Sequence, residues 1–428
     1  MSEPASVESP SPSSREDSLP SGPTELAGAA PDGPRRIDLY DGLRGFAIVL
    51  VVLSHGWQLW PVDWIDTHGW VRPFFRNGNS GVTVFLVAAG FLMFRSLTAR
   101  RPLASMRPDT AFVRRVARVG PSLWLFLLVA VALTSLDGST ASWHADTGSS
   151  VFHVLTYTWN WYVQGNLVTS RPDFGHLWYL SVDMQAFVIM AAFCYLLRRH
   201  RIGLVFALTG FYLVLLWWRF HVAYTENIFQ VLVRTTVRMD PFVLGVIAAA
   251  LLPELARLPI TGRALSWLAA GSLVALVPIL YWCDEDMSYL RWGGTVLEWD
   301  VVVFFVAVAL SGSNALVDRV TGNGVATWLG RNSLLLYIWH YEVFTFVSRH
   351  TQGAGWTWQG RTVVGLAATV AVCVAADRLL ERRVTAWLRR PAWRTLDDGV
   401  PHWLLVQSRP IAAQMLARVD AEADRRDR

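Results

Sequence analysis

Arg44 and His55 are the two residues of this chain whose types and spacing first suggest chemistry. They lie in D-L-Y-D-G-L-R-G-F-A-I-V-L-V-V-L-S-H-G-W-Q-L-W, residues 38–60, a stretch that is almost wholly apolar from Leu43 onward. On a helix, eleven residues at about 100° each come to about 1100°, only about 20° past three full turns, so both side chains share one face about 16 Å apart. An ionisable group inside a membrane span is costly and by default faces the bundle interior or a wet cavity. A guanidinium there can hold phosphate with two parallel hydrogen bonds, and an imidazole can exchange a proton near neutral pH. The plainer alternative is an arginine at the head groups and a histidine satisfied by a neighbour.

The elements that would position this pair follow from composition. The chain has 428 residues, 53% of them hydrophobic, with a mean hydropathy of +0.32. That is too apolar for an ordinary water-soluble globule. The apolar runs recur near membrane-spanning length, so the expected class is an all-α polytopic membrane protein. Ten spans are expected, near 40–60, 80–97, 119–136, 176–197, 202–220, 228–252, 264–282, 297–312, 333–348 and 361–380. Every basic Lys/Arg position is arginine, which removes lysine Schiff-base chemistry. Cys194, Cys283 and Cys373 are far apart, with no metal-ligand spacing or disulfide frame. Residues 1–34 are rich in Pro, Ser, Gly and acids and read as a disordered tail without a cleavable signal peptide. The membrane domain is expected over 35–385, and 386–428 as a basic cytoplasmic tail that can lie on the membrane surface.

Arginine asymmetry sets the expected orientation. With the N-terminus in the cytoplasm, Arg35, Arg36, the 98–118 connection, Arg198 to Arg201 and the C-terminal tail all lie inside. The 137–175 loop and the acidic turn Asp284-Glu285-Asp286 then fall outside, so both termini are expected to be cytoplasmic. This turns sequence positions into depths. Span four carries His176, Tyr179 and Asp183 toward one side; span six brings Arg234, Arg238 and Asp240; span nine stacks Ser333, Tyr337 and His340 at helical spacing. Titratable groups on several spans at similar depth suggest a polar cavity.

At this point the residues resemble a known family, the acyltransferase family 3 integral membrane acyltransferases. D-G-L-R-G followed by ten residues and His55 resembles its first-helix Arg-x10-His signature. G-V-T-V-F-L-V-A-A-G-F-L resembles its second-helix pattern, with Ala89 where the family usually has serine. R-R-V-A-R-V-G-P, with Arg115 and Arg118, resembles its R-x-x-R motif. H-L-W-Y-L-S-V-D-M-Q is similar to the H-x-W-S-L-x-x-E-x-Q segment, with Asp183 in place of glutamate. R-M-D-P-F-V-L-G and G-R-N-S-L-L-L-Y-I-W-H resemble two later motifs, the last followed by Glu342 in place of proline. The matches run in order from about 38 to 342. No esterase-like segment follows, so a stand-alone member is expected.

The resemblance implies an enzyme of the inner (cytoplasmic) membrane, moving an acyl group from cytoplasmic acyl-coenzyme A to a hydroxyl. The acceptor expected is a carbohydrate or glycolipid of the cell surface or of secondary metabolism; acetyl is the expected group, with acetyl-coenzyme A as donor. Neither a metal nor a nucleic acid is expected, and the partners are membrane lipids and the acceptor. Arg44, Arg115 and Arg118 are the candidates for the donor phosphates; their alternative role is to set topology. His55 is the candidate base for the acceptor hydroxyl. Asp183 is the candidate carboxylate behind it, by depth and type, or else an ion-pair partner of Arg238. His340 can share the base role, line the acceptor path or be a packed core residue. Arg238, Tyr337, His176 and Trp178 are candidates for substrate binding. No nucleophilic Ser or Cys presents itself, so direct transfer in a ternary complex is expected, with an acyl-histidine as the alternative. The rival class is a non-catalytic carrier or flippase that uses the same polar cavity to pass a substrate.

Overall fold

The computed structural model describes residues 34–98, 102–136, 146–284, 286–311 and 313–388. The N-terminal tail, His144 of the long loop and all but the first residues of the C-terminal tail lie outside the described residues. Among the described residues there is helix and no strand. The long helices are α1 (Pro34–Leu59), α2 (Gly78–Thr98), α3 (Pro108–Leu136), α4 (Trp178–Leu196), α5 (Arg201–Thr225), α6 (Asp240–Leu255), α7 (Gly262–Trp282), α8 (Gly294–Ser311), α9 (Ser333–Thr351) and α10 (Trp358–Ala376).

Among the described residues, seven helices are long and apolar enough to cross a membrane: α2, α3, α4, α5, α7, α8 and α10, some extended by an adjoining turn. The chain is therefore a multi-pass membrane protein. The three long helices outside that set, α1, α6 and α9, have a common reason for being so. Helix α6 has only 16 residues, short of the about 20 that span the hydrocarbon core. Helix α1 carries Asp38, Asp41, Arg44 and His55, and α9 carries His340, Glu342, Arg349 and His350. All three are largely buried, α6 almost completely, and a helix sheathed by other helices needs no lipid-compatible surface.

The packing around α1 follows from small residues. A Cβ on Gly45 would lie 2.2 Å from the Ala326 carbonyl oxygen, so α1 meets the short helix Gly324–Arg331 backbone to backbone. Helices α2 and α6 approach in the same way: a Cβ on Gly90 would lie 2.0 Å from the Phe242 carbonyl oxygen, and one on Gly245 2.3 Å from that of Val87. Close approach through small side chains is how helices associate where lipid supplies no hydrophobic drive. Helix α1 packs also against α2 and α9, and α9 against α10.

Two expectations change. The sixth span, read as one helix over 228–252, is three: Ile228–Val233, Thr235–Arg238 and α6. Pro241 at the start of α6 lacks an amide hydrogen and disfavours helix in the residue before it, and Arg234 is extended, with φ −77° and ψ 127°. The long connection after α3 is not loop throughout. It holds Thr147–Leu155, capped by the Asp146 side chain accepting from the Ser149 amide, and Trp159–Gly165.

Candidate functional site

Helices α1 and α9 are joined at two heights. At one end the Arg44 guanidinium donates to Ser333 Oγ at 2.8 Å and to Asp41 Oδ1 at 2.9 Å. At the other, His55 Nδ1 and His340 Nε2 are 2.9 Å apart. The joins are eleven residues apart on α1 and seven on α9, about 16 Å and about 10 Å of rise. Both advance in the same direction, so the helices run parallel; the long arginine side chain makes up the difference.

The protons of the histidine pair follow from its partners. His340 Nδ1 lies 2.8 Å from the Leu336 carbonyl oxygen, one turn earlier on α9. A carbonyl only accepts, so Nδ1 carries the hydrogen, and a neutral His340 has its lone pair on Nε2. His55 Nδ1 is then the donor of the 2.9 Å bond, which leaves His55 Nε2 with a free lone pair. That is the form a general base needs. The Val51 backbone, one turn earlier on α1, is a further hydrogen-bond partner of His55, and among the described residues no carboxylate is.

His176 completes a cluster of imidazoles. It sits at the end of the Pro172–Leu177 turn that feeds α4. Its Nε2 lies 3.0 Å from the Ile338 carbonyl oxygen, and its ring centroid 5.4 Å from that of His340 and 6.4 Å from that of His55. The Tyr337 hydroxyl donates to the His176 carbonyl oxygen. The Tyr341 ring lies 5.0 Å from His55 and 5.1 Å from His176.

From Tyr337 a column of polar and aromatic side chains continues toward the arginines. The Tyr179 ring is 5.1 Å from Tyr337. One helical turn further along α4, Asp183 is ion-paired with Arg115 of α3, whose guanidinium also lies 4.8 Å from the centre of the Phe187 ring. Arg118 has an exposed side chain; Arg44 and Arg115 are within electrostatic reach of it, as are Asp41 and Glu381. Three guanidiniums thus gather at one end of the column, two of them ion-paired with the carboxylates of Asp41 and Asp183.

The structure thus brings together His55, His340, His176 and Tyr337 at one level, and Arg44, Arg115, Arg118 and Asp183 at another. Asp183 pairs with Arg115, and neither His55 nor Arg238 is its partner. Arg238 and Trp178 form a third group, with the guanidinium 5.4 Å from the indole centroid and bonded to the Tyr289 hydroxyl, which is 2.6 Å from Thr83 Oγ1.

One buried network escaped the sequence reading. Arg219 of α5 is ion-paired with both Asp240 of α6 and Glu298 of α8, and donates to Thr295; Glu298 also accepts from the Tyr212 hydroxyl at 3.1 Å. Arg219 and Glu298 each interrupt a strongly apolar run, and that interruption was the available signal. Arg171 and Asp173 form a second buried pair, which also engages Thr134.

Residues 37–378 match the protein family described as "Acyltransferase domain". Among curated proteins the chain is similar to the "Putative O-acetyltransferase SACOL0978" of Staphylococcus aureus (strain COL), 22% identical over 331 residues, covering 73% of this chain and 51% of that protein. It is similar to "O-acetyltransferase OatA" of Staphylococcus aureus (strain NCTC 8325 / PS 47), 22% identical over 342 residues, covering 75% and 53%. It is also similar to the "Putative membrane-bound transacylase BcsY" of Komagataeibacter xylinus, 29% identical over 324 residues, covering 72% of each chain. The chain spans about half the length of the Staphylococcus relatives it matches. No solved structure matches it. With the family match running across almost the whole helical bundle, the chain belongs to the acyltransferase family.

Proposed function

We propose that the protein is an O-acyltransferase of the inner membrane, moving an acetyl group from acetyl-coenzyme A to a hydroxyl of a carbohydrate or glycolipid. The observation that carries this reading is the fixed tautomer of His55: a free Nε2 lone pair, held deep in the bundle by His340. The names of the relatives, O-acetyltransferase and membrane-bound transacylase, point to the same class of reaction. The parallel course of α1 and α9 supports an odd number of crossings between them, as α2 to α8 supply when all seven cross. That agrees with ten spans, α1 and α9 both leaving the cytoplasmic side, and both termini in the cytoplasm.

In this reading the donor's phosphates meet the guanidiniums of Arg44, Arg115 and Arg118, as planar forks suited to phosphate. The thioester reaches along the column past Tyr179 and Tyr337. His55 Nε2 takes the proton of the acceptor hydroxyl as its oxygen attacks the thioester carbonyl. The new C–O bond forms, the C–S bond breaks, and the proton passes to the departing thiolate to give free coenzyme A. His340 supports the imidazolium by accepting from His55 Nδ1 throughout. His176, Trp178, Arg238 and Tyr337 are the side chains available to the acceptor.

The test is release of free thiol from acetyl-coenzyme A by purified membranes, followed with the wild type and with His55→Ala at matched expression. Thiol release that needs both His55 and an added glycan acceptor supports the reading. Release that is unchanged in the variant refutes it.

A further inference from the structure

A groove of about 450 Å³ opens where residues 164–169, at and after the end of the Trp159–Gly165 helix, face Asn227, Phe229 and Gln230 at the start of the Ile228–Val233 helix. Small-molecule sites commonly hold about 300–1,000 Å³. Among the described residues no charged side chain lines it, and Glu226, the neighbour of Asn227, is occupied by Arg234 in an ion pair. The polar lining is four carboxamides, Gln164, Asn166, Asn227 and Gln230, with the Thr169 hydroxyl.

Each carboxamide is held by one half and open at the other. Gln164 Nε2 donates to the Asn160 carbonyl oxygen at 2.7 Å, Asn166 Nδ2 to that of Tyr162 at 3.0 Å, and Gln230 Nε2 to that of Gln164 at 3.3 Å. A carbonyl only accepts, so these bonds fix which way each amide faces. Three side-chain oxygens are left without a partner among the described residues. Asn227 is held the other way round: its Oδ1 accepts from the Phe229 amide at 3.0 Å, which leaves Nδ2 free to donate. Unpaired amide groups are costly in lipid, so the groove belongs at the aqueous surface. Fixed acceptors, a fixed donor and a hydroxyl, beside a Phe229 ring that is 39% exposed, suit a molecule dense in hydroxyls that also has an apolar face. A pyranose is such a molecule.

The floor of the groove is tied to the site already described. Buried Asn160 donates to Thr235 Oγ1 at 2.8 Å and accepts from Gln185 Nε2 at 2.9 Å; Gln185 lies on α4, the helix of Asp183. Along the other wall, seven residues lead from Thr169 to His176 of the imidazole cluster, a reach of at most about 25 Å even if fully extended.

We propose that this groove binds uncharged sugar units of the acceptor glycan, away from the hydroxyl that is acylated. The proposal rests on the acyl-transfer reading and narrows its acceptor to a glycan with neutral sugars beyond the acylated one. An acceptor of one sugar, seated at the base, gains nothing from the groove.

The test places the full-length protein, fluorescently labelled in lipid nanodiscs, on an array of neutral, uronate-bearing and phosphorylated oligosaccharides. Retention on neutral glycans is expected. It should fall by about fivefold or more, the weight of one hydrogen bond, in Asn227→Ser, which keeps a helix-capping oxygen and removes the free donor. It should fall further in Gly165→Trp, which fills the groove; a Cβ at Gly165 meets nothing within 4 Å, so the larger side chain displaces no packing. Retention confined to charged glycans, no retention, or equal retention by both variants overturns the proposal. Retention needs no turnover, so failed thiol release with groove-dependent retention intact defeats the enzymatic reading alone. Thiol release with neutral glycans at the wild-type acceptor KM in both variants defeats the groove alone.

Discussion

The Arg115 guanidinium is bonded to the Asp183 carboxylate, which ties α3 to α4 and occupies Asp183 away from the histidines. If Asp183 serves Arg115, Asp183→Asn alters donor binding and leaves the proton chemistry alone. The expected result is a severalfold change in KM for acetyl-coenzyme A with an unmoved pH profile of kcat/KM. A shift of the profile would instead tie Asp183 to the base.

Removing the arginines tests the anion site directly. Arg115→Ala with Arg118→Ala should raise KM for the donor by about tenfold or more, since charge-assisted hydrogen bonds contribute about 1.5–3 kcal/mol each, while kcat changes less. Steady-state kinetics over a wide range of donor concentration decides this. An unchanged KM removes the phosphate-binding role.

The histidine pair makes a graded prediction. His55→Ala should lose about 10²–10⁴-fold in kcat, the usual worth of a positioned general base. His340→Ala should lose less, because it removes only the group that fixes the tautomer. His340→Gln should recover part of that loss, since an amide oxygen can accept from His55 Nδ1. Equal rates for His340→Ala and His340→Gln would show that acceptance of this hydrogen bond is immaterial.

Stability is concentrated elsewhere. Arg219 compensates two buried carboxylates, Asp240 and Glu298, which face each other across α6 and α8 without it. Stripping one partner from a buried ion pair costs about 3–5 kcal/mol. Arg219→Met should therefore lower the melting temperature in detergent sharply, or abolish recovery of folded protein. Glu298→Gln, which leaves the Arg219–Asp240 pair intact, should be milder.

The α2–α6 crossing gives a second stability test. With the Gly90 Cβ position 2.0 Å from the Phe242 carbonyl oxygen, Gly90→Ala must push two backbones apart. Overpacking costs about 1–3 kcal/mol where side chains can adjust, and backbone adjusts less readily. Ala89→Gly, one position away, should melt close to the wild type.

How far the sequence revealed this arrangement depended on whether a feature is local to one helix. The shared face of Arg44 and His55 follows from 3.6 residues per turn, as does the stacking of Ser333, Tyr337 and His340 on α9. Contacts between helices needed information that periodicity lacks. Depth alone offered His55 or Arg238 as the partner of Asp183 and missed Arg115, because matching levels across spans says nothing about which faces turn toward each other. The His55–His340 bond depends on the rotation of α9 about its own axis. Arg219 and Glu298 were overlooked because each is an isolated or nearly isolated charge in an apolar run, Glu298 having only Asp300 close by, and only the fold shows that they meet. Of the ten expected spans, seven among the described residues have helices long and apolar enough to cross a membrane, since α1 and α9 carry polar groups and α6 is short.

The double attachment of α1 to α9 has a mechanical consequence. Sliding either rod by one turn would sever Arg44 from Ser333 and His55 from His340 together, so the two behave as a single rigid beam. In the proposed reaction a gate that admits or releases a bulky molecule then belongs to the surrounding helices, while Arg44, His55 and His340 keep their alignment.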